Sequence, residues 1–272
     1  MFIFQNHKLL KETQAQVSIN DRGFLFGDGI FETCKIFNGK IYDFKTHETR
    51  IKAGLKALKF KAEIKNLEKE SLQLIKKNKI SEGILRITIT RGSGSIGYLP
   101  TYETDSTIII QTLLPRKILN KKIILGVSEI KKTSSDSLPV SCKINQGLNS
   151  TLCKIEANEK NFFDCVMLSQ KNFVSETSSA NIFWVKNDEI FTPSEACDII
   201  HGSIRAKILK LTKVKEVKAK ISELQEADEI FLTNSSFLVL PVDELVFGKK
   251  KIKLHKKIGT KILHLIKADL PL

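Results

Sequence analysis

The stretch from Asp164 to Pro193, DCVMLSQKNFVSETSSANIFWVKNDEIFTP, limits the fold more than any other part of the chain. It holds three or four short apolar runs, broken at Gln170-Lys171-Asn172 and again at Asn187-Asp188. Runs this short do not make helices, and the polar residues between them favour tight turns. The segment reads as a meander of strands. A second strand signal lies nearer the N-terminus, where CKIFNGKIYDF sets Asn38-Gly39 between two alternating apolar runs. That pair supplies the two positive φ angles of a type I′ hairpin.

Helix-period segments surround these strands. THETRIKAGLKALKF has Thr46 as an N-cap and Ile51, Leu55 and Leu58 on one face, and NLEKESLQLIKKNKI follows as a second helix. ILRITITRG and STIIIQTLL read as strands, with Leu85, Ile87 and Ile89 alternating against Arg86, Thr88 and Thr90. The later half adds the strand IILGVSEI, a helix over LNSTLCKIEANEK with Leu148, Leu152 and Ile155 in register, and a helix from about Ser203 to Leu211. Strands DEIFLTNSS and FLVLPV come next. FGKKKIKLHKKIGTKILHLIKADL then reads as one amphipathic helix carrying Leu254, Ile258, Ile262 and Leu265. Strands and helices come in blocks, so the expected class is α+β. The expected division is a smaller α+β domain over 1–113, a linker over 114–120 around Pro115, and a larger strand-rich domain over 121–272 that carries Lys143.

A net charge of +14 raises the question of nucleic acid. The excess is almost all lysine; arginine occurs only at 22, 50, 86, 91, 116 and 205. No interleaving of arginine with aromatic residues builds a stacking platform, so a lysine-rich solvated surface is expected and a nucleic-acid partner is not. No apolar run reaches the roughly 18 residues of a membrane span. The opening MFIFQNHKLLKETQ lacks a basic segment followed by a long apolar one, and cytoplasm is expected. Cys34, Cys142, Cys153, Cys165 and Cys197 are widely spaced, as in a cytosolic protein with reduced thiols. The five histidines show no metal-ligand spacing, and no metal is expected.

Several residues invite chemistry. Lys143 follows the extended Ser-Leu-Pro-Val-Ser run and precedes a helix; a solubilising lysine and a Schiff-base lysine both suit that place. Four of the scarce arginines lie in turn-like or helix-start contexts: DRGFLFGDG, HETR, TRGSGSIGYLP and HGSIR. A guanidinium fork suits carboxylate or phosphate better than an ammonium does, although each alone also suits a surface ion pair. Gly202 and Ser203 open a helix whose first N–H groups make an anion cradle or a simple cap. Glu176 stands where a strand breaks into Thr-Ser-Ser, as a loop carboxylate or as the partner of a cationic ring nitrogen.

Taken in order, DRGFLFGDGIFET, the pair His47 and Arg50, SETSSANIFWV and FLTNSSFLVLPV resemble the fold-type IV pyridoxal-phosphate enzymes. That group holds the branched-chain and D-amino-acid aminotransferases and the aminodeoxychorismate lyases. The resemblance implies a two-domain fold with pyridoxal 5′-phosphate in the cleft, and a homodimer. Lys143 matches the lysine that forms the Schiff base and moves the proton. Arg50 matches the arginine on the cofactor phosphate, with backbone N–H groups of Ser203 and Ile204 and the Thr233–Ser236 loop, including Asn234 and Ser235. Glu176 matches the carboxylate on the pyridine nitrogen. Phe31, Arg91 and Tyr98 fall on the substrate side. Within the group the chain looks most similar to the lyases, which release pyruvate and 4-aminobenzoate for folate synthesis. FLTNSSFLVLPV and TRGSGSIGYLP carry that likeness, and Gly147 and Phe31 stand where many aminotransferases have tyrosines. Ile96 departs from it, standing where the lyases often carry arginine. The alternative is an aminotransferase acting on branched-chain or D-amino acids.

Overall fold

The computed structural model describes residues 1–95, 97–100, 105–114 and 122–271. The chain divides into two compact units. One is Met1–Arg116 with Cys142–Gln146 and Leu270–Leu272; the other is Lys117–Ser141 with Gly147–Asp269. Apart from Leu114, the linker expected at 114–120 lies outside the described residues, as does Ile96.

The first unit contains β1 (Phe2–Gln5), β2 (Lys8–Lys11), α1 (Arg22–Phe26), β3 (Gly29–Phe37), β4 (Lys40–Ile41), α2 (Phe44–Ala57), α3 (Leu67–Asn78), β5 (Gly83–Thr90) and β6 (Thr107–Leu113). Its sheet is antiparallel in the order β2-β1-β6-β5-β3-β4. The expected hairpin joins β3 to β4, with Asn38 at φ 48° and Gly39 at φ 71°. Alternation along β3 and β5 sends Ile30, Cys34, Ile36, Leu85, Ile87 and Ile89 into a core shared with Ile51 and Leu55 of α2 and Leu67, Leu74 and Ile75 of α3. Burying each such aliphatic side chain contributes about 2 kcal/mol. The other face of the two strands, with Phe31, Thr33, Arg86 and Thr88, is only half-buried. Thr46 does not cap α2. Asp43 holds the N-cap position, and the Thr46 hydroxyl donates to its carboxylate at 2.9 Å.

The second unit contains β7 (Ile124–Val127), α4 (Leu148–Glu159), β8 (Asp164–Leu168), β9 (Val174–Thr177), β10 (Asn181–Lys186) and β11 (Glu189–Pro193). After these come α5 (Ser203–Leu211), β12 (Val214–Val217), α6 (Ile221–Gln225), β13 (Glu229–Asn234), β14 (Leu238–Pro241), β15 (Glu244–Phe247), β16 (Lys250–Lys253) and α7 (Lys257–Ala268). The meander appears as β8 to β11, in a sheet ordered β12-β11-β10-β9-β8-β7-β15-β16, with β13 also paired to β10 and to β14. Trp184, Ile182, Ile230 and Leu232 lie at the centre of its core.

Two elements differ from the sequence reading. The lysine-rich C-terminal run is a hairpin, β15–β16, turned at Gly248 (φ 58°), followed by a shorter helix. Residues 250–253 pair across to 244–247, and the buried face of α7 is Gly259, Ile262 and Ile266, leaving Leu265 exposed. In α4 the inward side chains are Cys153 and Ala157, whereas Leu148, Leu152 and Ile155 form an exposed stripe. No described helix is long and apolar enough to cross a membrane. All five cysteines are buried, and none forms a disulfide.

Candidate active site

Backbone pairing places Lys143. The sequence assigns this lysine to the 121–272 domain, but its segment pairs with β3 in the first unit. Phe31 N donates to Lys143 O at 2.9 Å, Asn145 N donates to Gly29 O at 2.9 Å, and Ile144 bridges Ile30. Gly29 permits this approach, since a Cβ there would lie 2.6 Å from both Asn145 Nδ2 and Ile89 O. The Lys143 ammonium reaches the Phe31 ring, 4.4 Å from its centroid, and the Arg86 guanidinium contacts the same ring at 4.2 Å. Burial lowers the Arg86 pKa, but a guanidinium remains charged at neutral pH. Among the described residues no carboxylate pairs with Arg86.

On the α2 face, Arg50 meets Glu32 in a bidentate pair: Nε to Oε1 at 2.5 Å and Nη2 to Oε2 at 2.6 Å. His47 Nδ1 lies 2.7 Å from Glu32 Oε2. Burial alone would raise the Glu32 pKa, but hydrogen bonds and charge from Arg50 and His47 outweigh it and hold the group at about 2. Burial likewise works against the Arg50 charge, and Glu32 more than compensates, leaving the Arg50 pKa raised. Arg50 is thus a fixed cation whose fork is aimed by a fixed carboxylate. Beneath it, burial pushes the Cys34 thiol well up, and the Glu32 charge adds to that.

Arg91 lies in an ion-pair network, and Tyr98 lies at the surface. The Arg91 guanidinium donates to Asp28 Oδ2 at 2.7 Å and Oδ1 at 3.2 Å, to Leu58 O at 2.6 Å and to Lys59 O at 3.2 Å. Asp28 also accepts from Arg22 Nε at 3.0 Å, and the rest of the Arg22 fork holds the carbonyls of Ser95, Gly97 and Tyr98. Two of the scarce arginines are therefore joined through one aspartate and brace a loop. Tyr98 is 89% exposed and touches Phe26.

In the second unit, register sets Glu176, Asn181 and Thr233 in one row across β9, β10 and β13. Glu176 is buried. Its Oε2 accepts from Asn181 Nδ2 and from Ile200 N, each at 3.0 Å, and its Oε1 lies 2.5 Å from Lys132 Nζ. Asn181 also donates to Ile200 O at 2.9 Å. Only glycine fits at 202, because a Cβ there would stand 2.0 Å from Asn181 Oδ1. Helix α5 starts at Ser203, as the sequence implies, and no side chain caps it. Its first N–H groups thus carry the positive end of the helix dipole unneutralised. Ser203 Oγ and Ser235 Oγ lie 3.1 Å apart, and the buried Thr233 Oγ1 has no hydrogen-bond partner among the described residues. Asn234 builds the turn: its Oδ1 accepts from Ser236 N and Phe237 N, and its Nδ2 donates to Ser179 O. An uncapped helix start and an orphaned hydroxyl fit a phosphate, and a buried carboxyl group held by aimed donors fits a ring nitrogen. The residues present suit pyridoxal phosphate.

Three residues with functional surroundings escape sequence reasoning: Lys132, Asn181 and Arg86. Lys132 is one lysine among many and is 44 residues from Glu176, so no local pattern marks it. Asn181 lies inside the SETSSANIFWV motif, and Arg86 is marked only by the scarcity of arginine. Of the lysines that follow Lys143, Lys154 donates to Phe163 O and lies 3.6 Å from Asp164, while Lys160 pairs with Glu156 on an exposed face. Among the described residues no cluster of three or more His, Cys, Asp or Glu is placed to hold a metal ion.

Comparison with known proteins bears on both units. The model of the family amino-transferase class IV matches residues 29–245. A putative branched-chain-amino-acid aminotransferase of Methanocaldococcus jannaschii is 30% identical over 273 residues, covering 96% of this chain and 95% of that one. The aminodeoxychorismate lyase of Vibrio harveyi is 30% identical over 249 residues, covering 88% and 91%. The crystal structure of the Escherichia coli branched-chain amino acid aminotransferase superposes with a TM-score of 0.91 at 20% identity, over 98% of this chain and 93% of that one, and shows the same fold.

Proposed function

We propose that this chain, which belongs to the class IV aminotransferases and so to a pyridoxal-phosphate-dependent family, is a 4-amino-4-deoxychorismate lyase. The observation that carries the reading is the surface beside Lys143. There the Phe31 ring offers a flat apolar face, and Arg86 offers a guanidinium that no carboxylate among the described residues pairs with. A planar ring bearing carboxylates suits that pair: its face packs on Phe31 and a carboxylate takes the Arg86 fork. Arg86 replaces Arg91 as the proposed carboxylate contact, because Arg91 is committed to Asp28 and two carbonyls.

Pyridoxal phosphate, when bound, supplies an electron sink for the carbanion next to the substrate nitrogen. Lys143 is the amine that engages the cofactor and the base that removes the ring C4 proton. Arg50, the α5 start at Ser203 and Ile204, Ser235 and the Thr233 hydroxyl would hold the phosphate, and Glu176 would pair with the ring nitrogen. The C–O bond to the three-carbon side chain then breaks, the C4 proton is balanced by one gained at the departing carbon, and the ring becomes aromatic. The products are 4-aminobenzoate and pyruvate, with no oxidant, reductant or net water. Phe31 and Gly147 add no hydroxyl beside Lys143. The similarity to the Vibrio harveyi enzyme supports the reading.

An aminotransferase acting on branched-chain or D-amino acids is the second reading, favoured by the 30% identity to the Methanocaldococcus jannaschii relative. We also take the working form to be a cytoplasmic homodimer. Buried cysteines without disulfides suit a reducing compartment, and the exposed stripe on α4 is apolar surface of the kind a second copy covers. The deciding experiment supplies the loaded protein with aminodeoxychorismate and follows both products. Equal amounts of 4-aminobenzoate and pyruvate, abolished by Lys143→Ala, bear the lyase out. Their absence, with conversion of the cofactor to its pyridoxamine form by an amino acid, establishes the aminotransferase.

A further inference from the structure

The surroundings of Glu176 point past its own assignment to Lys132. A carboxylate offers about four acceptor positions. Asn181 Nδ2 and Ile200 N already occupy Oε2. The capacity left for another N–H is therefore on Oε1, the oxygen that Lys132 Nζ holds at 2.5 Å. Both side chains of this pair are more than nine-tenths buried.

Lys132 is not a surface lysine that happens to reach inward. Its N–H donates to Leu168 O at 2.9 Å, and its carbonyl accepts from Gln170 Nε2 at 3.1 Å, so the backbone is fixed at the end of β8. Three residues on, Ser135 N and Oγ both donate to Asp198 Oδ1 at 2.8 Å, and Asp198 O in turn accepts from Ser175 Oγ beside Glu176. The loop bearing Lys132 is tied to the end of β8 and, through Asp198, to the strand bearing Glu176. The ammonium is aimed by the fold.

A buried carboxylate that loses its charged partner is left with an uncompensated oxygen and no donor to hold that oxygen's direction. We propose that Lys132 is a positioning residue for the cofactor: it pairs with Glu176 and holds its Oε1 in place before the cofactor arrives, so that the ring-nitrogen end of pyridoxal phosphate meets a prepared acceptor. Lys132 acts through Glu176. The inference rests on the chain's pyridoxal-phosphate dependence and not on the choice between lyase and aminotransferase.

The test is binding of pyridoxal 5′-phosphate to the apoprotein, followed by the fluorescence of Trp184, the chain's single tryptophan, in wild type, K132M, K132R, E176Q and K132M/E176Q. K132M should weaken binding roughly tenfold or more, the scale on which the outer partners of ligating groups act. K132R should bind within about threefold of wild type, because a guanidinium restores the counter-charge. In the E176Q background, Lys132→Met should change affinity less than about twofold, since the two residues act as one unit. If K132M fails to fold, K132R against wild type and the double variant against E176Q decide between the outcomes. K132M binding like wild type, or losing the same factor with and without Glu176, overturns the proposal. A protein inert toward aminodeoxychorismate that still shows this binding pattern would sink the lyase reading and leave the role of Lys132 standing.

Discussion

Glu32 offers the sharpest test of how the first unit holds Arg50. The substitution Glu32→Gln keeps the side chain's shape and removes its charge, leaving Arg50 and His47 against a neutral amide. A carboxyl moved from its ordinary 4.5 to about 2 contributes about 3 kcal/mol of folding stability at neutral pH, at about 1.4 kcal/mol per pH unit. Losing one partner of a buried pair costs a similar amount, roughly 3–5 kcal/mol. The folded pKa lies below the unfolded one, so this contribution is complete above pH 4.5 and is lost as pH falls through about 2. Protonated wild type then resembles the glutamine variant. Urea unfolding of the two apoproteins, followed by far-ultraviolet circular dichroism, should separate them by about 3 kcal/mol at pH 7 and by about 1 kcal/mol at pH 3. A gap that stays constant between these pH values, or one below about 1 kcal/mol at pH 7, would refute the argument that charge and not shape holds the cluster.

Gly202→Ala should displace Asn181, whose Oδ1 would stand 2.0 Å from the new Cβ; a stability loss of about 1–3 kcal/mol and weaker cofactor binding are expected from unfolding and titration. Arg86→Met should raise the substrate KM roughly tenfold or more while leaving pyridoxal-phosphate affinity unchanged, as steady-state kinetics and cofactor titration would show. Asp28→Asn should leave the Arg22 and Arg91 guanidiniums without their shared carboxylate and destabilise the apoprotein by about 2 kcal/mol or more, measured by urea unfolding, with cofactor affinity retained.

Local signals carried far into the structure. The Asn38-Gly39 pair turns where two positive φ angles are needed, α5 runs from Ser203 to Leu211, and the meander breaks at its polar turns because period-two patterns and turn residues act over a few positions. What escaped depends on partners far apart in sequence. Lys143 pairs with Phe31 across more than a hundred residues, and nothing in SCKINQG names β3 as its neighbour. Arg91 and Arg22 looked like anion binders until Asp28 proved to lie against both. The C-terminal lysine run has helical spacing, but its first third has a strand to pair with, and that pairing overrides the period. In α4 the period was right and the face was wrong: small Cys153 and Ala157 turn inward where a strand packs close, while the larger leucines stay outside.

The placement of Lys143 as the cofactor lysine is tested most directly by borohydride reduction of the pyridoxal-phosphate-loaded protein, proteolysis and mass mapping of the phosphopyridoxyl label. The label should fall on the peptide bearing Lys143, and Lys143→Ala should remove it without moving it elsewhere. A label on Lys154, which pairs with Asp164, or on Lys132, which pairs with Glu176, would contradict the account.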